Sequence, residues 1–183
     1  MQFYKLLTVV LILLPVSNAS AIDFLIEAGF HQGGDRLVSV TFLSGNTESI
    51  DAGDGVSISA GAVADHGSFE MRYKAGIKFD SIDAANGSLD WDRYTFDALA
   101  MYKYSKSWKI GAGLTYHVDP ELSGSGIISG SAKFDNAVGL MAEVDYFWNN
   151  IGYVGLVITA IDYEINGVEF DGNSVGINVG GIF

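Results

Sequence analysis

The sequence predicts an all-β fold, an eight-stranded antiparallel up-and-down transmembrane β-barrel, and three observations lead to this prediction. Apolar and polar residues alternate with a period of two through eight segments, as they do in strands that have two different faces. Each segment is close to the roughly 9–11 residues that a tilted strand needs to cross a bilayer. Short and long connections alternate between the segments, which is typical of a barrel whose two rims face different compartments.

The chain begins with a predicted signal peptide, residues 1–21. Lys5 precedes the apolar run 6–14, and the small-residue stretch 18–21 follows it. A charged start, a short apolar centre and an A-x-A ending are the parts of a secretory signal, with cleavage expected after Ala21. The apolar run is about half of the roughly 20 residues that a membrane-spanning helix requires. We therefore expect an exported mature domain comprising residues 22–183.

The predicted strands and connections of this domain follow in order along the chain. The strands are 22–33, 56–65, 68–81, 93–104, 108–118, 137–148, 151–165 and 174–183. The tight turns are 65–67, 105–107 and 149–150, and the long connections are 34–55, 82–92, 119–136 and 166–173. Within the first long connection, residues 37–50 suggest a further hairpin with a turn at 44–46. This hairpin is either an extension above the membrane or a pair of extra strands, which would make ten.

Composition excludes several classes of protein. The chain carries 10 Lys plus Arg against 22 Asp plus Glu, a net charge of −12 at pH 7. A nucleic-acid partner is not expected, because binding to phosphates needs clustered basic residues. The absence of cysteine excludes disulfides and thiolate chemistry.

The two faces of the strands indicate which solvent each one meets. In segment 68–81, Phe69, Met71 and Tyr73 alternate with Glu70 and Arg72. Aromatic residues also concentrate near strand ends. Those near the tight turns are Tyr102, Tyr104, Trp108, Tyr146, Trp148 and Tyr153, and those near the long connections are Tyr94, Phe96, Tyr116 and Tyr163. Two aromatic bands around an aliphatic middle match the two interfaces of a bilayer. This banding disfavours the alternative of a soluble barrel with an apolar core.

The opposite face predicts a charged lumen. The residues assigned to it are Glu27, Glu70, Arg72, Lys74, Lys78, Arg93, Asp97, Lys103, Glu143, Asp145 and Asp162. Basic residues collect on the third to fifth strands and acidic residues largely on the sixth, seventh and first, so closure brings them face to face. An eight-stranded barrel has an interior that side chains can fill. We predict a salt-bridged, hydrated plug; the alternative is a narrow pore or small-ligand barrel closed by an ion-pair latch.

The last strand carries a family resemblance. Phe183 is preceded at alternate positions by Val179, Ile177 and Val175. With the signal peptide and the eight alternating segments, this ending resembles small outer-membrane barrels of the OmpA-domain, OmpX and OmpW type. The resemblance implies a monomer in the outer membrane of a Gram-negative bacterium, with termini and tight turns in the periplasm. It also implies contact with outer-membrane lipid and lipopolysaccharide, and recognition of the terminal strand by the barrel assembly machinery. A structural or surface-interaction role without a cofactor is expected.

Two further kinds of site deserve a test. His31 and His117 are predicted to point inward near the loop-side rim, and Asp119 follows His117 by two residues. A histidine oriented by a carboxylate is half of a hydrolytic arrangement, and some barrels of the resembling class modify lipid A. No nucleophile is fixed by spacing, so we predict no catalytic residues. Oxygen-rich loops occur at 51–55, 79–83, 88–92 and 169–174 without a complete calcium-loop spacing, so no metal site is predicted.

Overall fold

The computed structural model describes residues 22–42, 44–84 and 86–183. The predicted signal peptide and its cleavage position lie outside the described residues. In the part of the chain that is described, no helix has the length and apolarity to cross a membrane.

Strands dominate the described residues. In chain order they are β1 (Ile22–Gln32), β2 (Arg36–Thr41), β3 (Thr47–Asp51), β4 (Gly55–His66), β5 (Phe69–Ala84), β6 (Gly87–Lys103), β7 (Trp108–Gly124), β8 (Gly130–Lys133), β9 (Ala137–Phe147), β10 (Gly152–Ala160), β11 (Asp162–Ile165), β12 (Val168–Asp171) and β13 (Ser174–Ile182). Eight of them pair in the circular order β1-β4-β5-β6-β7-β9-β10-β13, and β13 returns to pair with β1. All of these pairings are antiparallel. The predicted eight-stranded up-and-down barrel is confirmed.

The ten-strand alternative is wrong. Strands β2 and β3 form a separate two-stranded sheet that stands at one rim, as do β11 and β12. The β11–β12 hairpin turns at Asn166 and Gly167, whose φ angles are 53° and 79°. Two consecutive positive φ values are typical of a type I′ turn, whose twist matches that of a hairpin. Both hairpins therefore extend the barrel without adding strands to its wall.

The segments 82–92 and 119–136, which were predicted to be long connections, consist mostly of strand, so this part of the prediction is wrong. Strands β5, β6 and β7 contain 16, 17 and 17 residues, well beyond the roughly 9–11 that cross a bilayer. Strand β8 folds back onto the end of β7, with Glu121 opposite Lys133. The alternation continues in the overhang, where Leu89 and Trp91 face inward. Their acidic neighbours on the opposite face gave this segment the composition of a loop.

The outward face of the barrel is apolar and exposed. Its members include Phe24, Ile26, Phe30, Ile58, Ile77, Phe96, Ile110, Leu114, Leu140, Leu156, Ile158, Ile177 and Val179. Aromatic pairs lie near the tight turns, where the ring centroids of Phe69 and Tyr102, and those of Trp108 and Tyr146, are 5.1 Å apart. Large exposed apolar surfaces of this extent mark contact with another apolar phase.

Two residues assigned to the predicted aromatic bands, Tyr153 and Tyr163, lie inside the barrel instead. Their exposed fractions are 0% and 1%. Segment 152–160 is apolar on both faces, so alternation alone could not show which face of β10 points inward. The residues of β10 that point inward are Tyr153 and every second residue after it. The assignment of both tyrosines to the outer aromatic bands is therefore wrong.

The terminal strand lies in the closing seam. Phe183 and Phe24 exchange two backbone hydrogen bonds of 2.8 and 2.9 Å. Val175, Ile177, Val179 and Phe183 all project from the outer face with more than half of their surface exposed.

Candidate functional site: the barrel interior

The interior of the barrel runs from a turn end, which carries the tight turns, to a loop end, which carries the β2–β3 and β11–β12 hairpins. An apolar cluster fills the turn end. It consists of Leu25, Val63, Phe147, Tyr153 and Ile182, all buried. The ring centroids of Phe147 and Tyr153 are 5.1 Å apart, and the Lys109 ammonium lies 4.1 Å from the centre of the Phe147 ring. This cluster narrows the lumen beside the turns.

Arg72 occupies the centre of the next layer. Its guanidinium donates to Glu70 Oε1 at 2.8 Å, to Glu143 Oε1 at 3.0 Å and to Asp145 Oδ2 at 2.6 Å. Arg72 and Asp145 have no exposed surface. Buried charges are tolerated when they are paired and hydrogen-bonded, and the planar fork of arginine suits several carboxylates at once.

Lys74 extends this layer toward the loop end. Its ammonium lies 2.7 Å from Glu27 Oε1, 3.4 Å from Glu143 Oε2 and 3.8 Å from Asp97 Oδ2. Two neutral hydroxyl groups donate further hydrogen bonds to acids of this layer. Tyr153 Oη donates to Glu27 at 2.6 Å, and Thr115 Oγ1 donates to Asp97 at 2.6 Å. We call Glu27, Glu70, Arg72, Lys74, Asp97, Glu143 and Asp145 the ion-pair layer.

Two lysines connect the ion-pair layer to the turn-end rim. Lys109 Nζ lies 2.6 Å from Glu70 Oε2. Lys103 Nζ lies 4.0 Å from the same oxygen and donates a short hydrogen bond to Asp65. Lys103 is partly exposed, so its pairing is weaker in energy than that of the buried members.

The loop end is closed by three consecutive backbone carbonyls. Trp91 Nε1 donates to Ala52 O at 3.1 Å, Lys78 Nζ donates to Gly53 O at 2.7 Å, and Arg93 donates to Asp54 O. We call residues 52–54 the cap. The loop 51–55 is therefore not a freely solvated acidic loop, because its centre is buried across the mouth of the barrel.

A second apolar cluster lies over the cap. Its buried members are Ile50, Ala52, Ile82, Leu89, Trp91, Phe134, Ala137, Ile161 and Tyr163. Trp91 is central, with ring centroids 5.1 Å from Phe134 and 5.4 Å from Tyr163. The inward faces of the overhanging strands and the β2–β3 hairpin thus share a small hydrophobic core at the loop end of the barrel.

The structure places the predicted lumen charges along this axis, with one exception. Asp162 is exposed and pairs in register with Asp171 in the β11–β12 hairpin. Its assignment to the lumen is wrong because the inward positions of this segment are occupied by Ile161 and Tyr163.

The predicted pair of His117 and Asp119 does not form. Residues Asp119 and Pro120 together oppose Arg93, because the register shifts between Asp92 and Tyr94. Such a β-bulge reverses the direction of the side chains that follow it. Asp119 is exposed and bonds to Lys133 at 2.8 Å, and this hydrogen bond raises the pKa of Lys133.

His117 bonds to a residue other than the predicted Asp119, and His31, for which no partner was predicted, bonds to a serine. His117 Nδ1 lies 2.6 Å from Tyr163 Oη, and His31 Nε2 lies 3.0 Å from Ser57 Oγ. Sequence alternation does not predict the contact between His117 and Tyr163, because it places Tyr163 on the outer face of the barrel. No group of three or more metal-ligating acidic, histidine or cysteine side chains occurs within the described ranges.

Comparison with known proteins finds similarity at the level of the fold. No family model and no curated protein matches the chain. Among solved structures, Ail, the attachment invasion locus protein of Yersinia pestis, is similar with a TM-score of 0.56 and 8% identity, covering 88% of this chain and 97% of Ail. Ail in complex with the heparin analogue sucrose octasulfate gives a TM-score of 0.53 at 8% identity and the same coverage. Neisserial surface protein A has a TM-score of 0.50 and 10% identity over 91% of this chain and 97% of its own. The predicted resemblance to small outer-membrane barrels is confirmed for the fold.

Proposed function

We propose that the chain is a monomeric integral outer-membrane barrel with a sealed lumen, and that it acts through its surface in a structural or interaction role. The fold and the exposed apolar belt support the location. A catalytic role lacks support, since the histidine–carboxylate pair on which it depended is not formed.

The observation that carries the proposal is the closure of the interior at both ends, with a layer of paired charges between them. The turn-end cluster, the ion-pair layer and the cap succeed one another along the axis. A conducting path would have to displace buried charges from their partners, which costs several kcal/mol for each ion.

Planar-bilayer recording tests the seal. We expect purified, refolded protein to give no steady conductance under conditions in which a porin conducts. Faster migration of the unboiled sample on a denaturing gel would verify that the recorded protein is folded. Stable conductance steps from folded protein would instead favour the narrow pore or small-ligand barrel.

The surface role is proposed from the charge of the loop end. Its exposed or partly exposed acids include Asp35, Glu48, Asp80, Asp83, Asp90, Asp92, Asp119, Glu121, Asp135, Asp162, Glu164, Glu169 and Asp171. Such a surface repels the phosphates of lipopolysaccharide unless divalent cations lie between them. We therefore propose that lipopolysaccharide contacts this rim through shared divalent cations.

Vesicles with and without lipopolysaccharide test this contact. Added calcium should raise the unfolding temperature in lipopolysaccharide vesicles, and chelation should reverse the effect. An equal calcium effect in phospholipid vesicles would contradict the proposal.

We also propose that the barrel assembly machinery recognises β13. The support is its row of outward apolar residues, Val175, Ile177, Val179 and Phe183.

A further inference from the structure

A small polar cavity lies between the ion-pair layer and the cap. Its volume is about 40 Å³, roughly three times the minimum that holds one water molecule. The side chains that line it toward the cap are His31, Ser57, Lys78, Thr95 and His117, and those toward the ion-pair layer include Glu27, Lys74, Asp97 and Thr115. Most of these groups can donate a hydrogen bond.

The cations near this cavity are not neutralised locally. Lys78 and Arg93 are partners in the β5–β6 register, and their exposed fractions are 5% and 2%. Among the described residues, no carboxylate oxygen lies within 4 Å of either charged group. Their acceptors are the cap carbonyls Gly53 O and Asp54 O. Two adjacent buried cations with neutral partners form an unfavourable arrangement.

The acids in the neighbourhood are already engaged. Asp97 accepts from Thr115 and lies near Lys74, while Asp54 Oδ1 accepts from the backbone of Gly33 at 2.8 Å. Glu27, which also lines the cavity, is bonded to Lys74 and Tyr153. The positive charge of Lys78 therefore faces a cavity whose negative groups are held by other partners.

We propose that this cavity binds one small monovalent anion of about the size of chloride, with Lys78 as its charge partner. The nearby hydroxyl and imidazole groups complete the coordination as hydrogen-bond donors. A larger, doubly charged oxyanion fits less well, because Arg93 contacts the cap instead of lining the cavity. The anion would neutralise part of the buried charge beneath the cap and so stabilise the closed loop end.

Bromide provides a direct test of position. The protein is unfolded in urea, refolded with sodium bromide so that the ion can enter before the cap closes, and crystallised. We expect an anomalous peak inside the barrel in direct contact with Lys78 Nζ, because a charge-assisted hydrogen bond would hold the anion against the ammonium. Folded protein with bromide peaks on its outer surface alone would overturn the proposal.

Thermal unfolding in sodium chloride and in sodium gluconate of equal concentration provides a second test. At an anion concentration ten times the Kd, binding raises the ratio of folded to unfolded protein about elevenfold. We expect a higher unfolding midpoint in chloride for the wild type and for Lys106→Met, which removes an exposed lysine in a tight turn. The difference should vanish in Lys78→Met. An equal chloride effect in Lys78→Met and Lys106→Met would also overturn the proposal, and the bromide experiment decides if Lys78→Met does not fold.

Discussion

At the scale of single residues, Glu143 joins the two halves of the ion-pair layer. One of its oxygens accepts from Arg72 at 3.0 Å and the other lies 3.4 Å from Lys74. Arg72 and Lys74 each contact more than one acid, so the position of each charged side chain depends on those of its neighbours. Side-chain networks of this kind are coupled, and removal of one member leaves the others with uncompensated buried charge.

We predict that Arg72→Met destabilises the folded barrel by about 3–5 kcal/mol, because Glu143 and Asp145 lose a buried cation. The triple variant Arg72→Met, Glu143→Gln, Asp145→Asn should recover part of this loss, since it removes the stranded charges as well. Urea unfolding in lipid vesicles, followed by the gel shift, measures both effects. A loss of stability in the triple variant equal to the sum of the losses in the three single variants would show that the three residues are not coupled.

The hydroxyl of Tyr153 gives a second prediction at this scale. It donates to Glu27 Oε2 at 2.6 Å in a buried setting. Tyr153→Phe should cost about 1–3 kcal/mol, because a buried carboxylate loses a donor while the ring remains. Tyr104→Phe is the matched control, since Tyr104 is 75% exposed. Equal unfolding midpoints for the two variants would contradict the role of this bond.

At the scale of elements, the cap is held by close backbone packing as well as by its three side-chain donors. A Cβ on Gly53 would lie 2.6 Å from Asn173 O, 2.7 Å from Gly33 O and 2.8 Å from Gly172 O. These are backbone atoms of the loops on either side, so they cannot rotate away as a flexible side chain could. Glycine at position 53 therefore lets three loops meet over the lumen.

We predict that Gly53→Ala displaces the cap at a cost of about 1–3 kcal/mol, as overpacking does elsewhere. Trp91 should then become accessible to acrylamide, measured by fluorescence in a Trp108→Phe, Trp148→Phe background. Gly45→Ala is the control, because a Cβ there meets nothing within 4 Å, so that any effect of this variant comes from its φ of 88° and not from contact with other loops. Unchanged quenching of Trp91 in Gly53→Ala would contradict this account of the cap.

Sequence alternation predicts the wall well and the interior less well, and the reason differs between strands. On β5 the charged and apolar sets separate cleanly, so Arg72 and Lys74 are placed inward from sequence alone. On β10 both sets are apolar, and the parity that decides between Tyr153 and Val154 comes from pairing with β9 and β13. On β7 the bulge at Asp119 and Pro120 ends the regular alternation. The cap depends on contacts between distant segments, which local periodicity does not encode.

At the scale of the whole molecule, the usual distribution of polarity is reversed in the wall of the barrel. The centre of the barrel holds paired charges, while residues such as Ile58, Leu156 and Ile177 lie exposed on the outside. Water would oppose this arrangement, since apolar surface gains free energy on leaving it. A bilayer favours it, because lipid tails cover the side chains and the closed ladder satisfies the backbone. The small apolar core over the cap lies beyond the exposed apolar face of the barrel, and there apolar residues are buried and polar residues are exposed, as in a water-soluble protein.

The depth of each outward residue in the bilayer gives the final prediction. Leu156 lies midway along β10, opposite Val144 and Ile177. Leu156→Arg should cost about 2–4 kcal/mol in lipid vesicles, because an arginine on the lipid face is least favourable near the bilayer midplane. Tyr104→Arg, just beyond the turn end of β6, should cost no more than about 1 kcal/mol, since its guanidinium reaches the interface. Urea unfolding of both variants in the same vesicles measures the difference. Equal costs, together with wild-type protein that stays folded and soluble without detergent, would show that lipid does not cover this face.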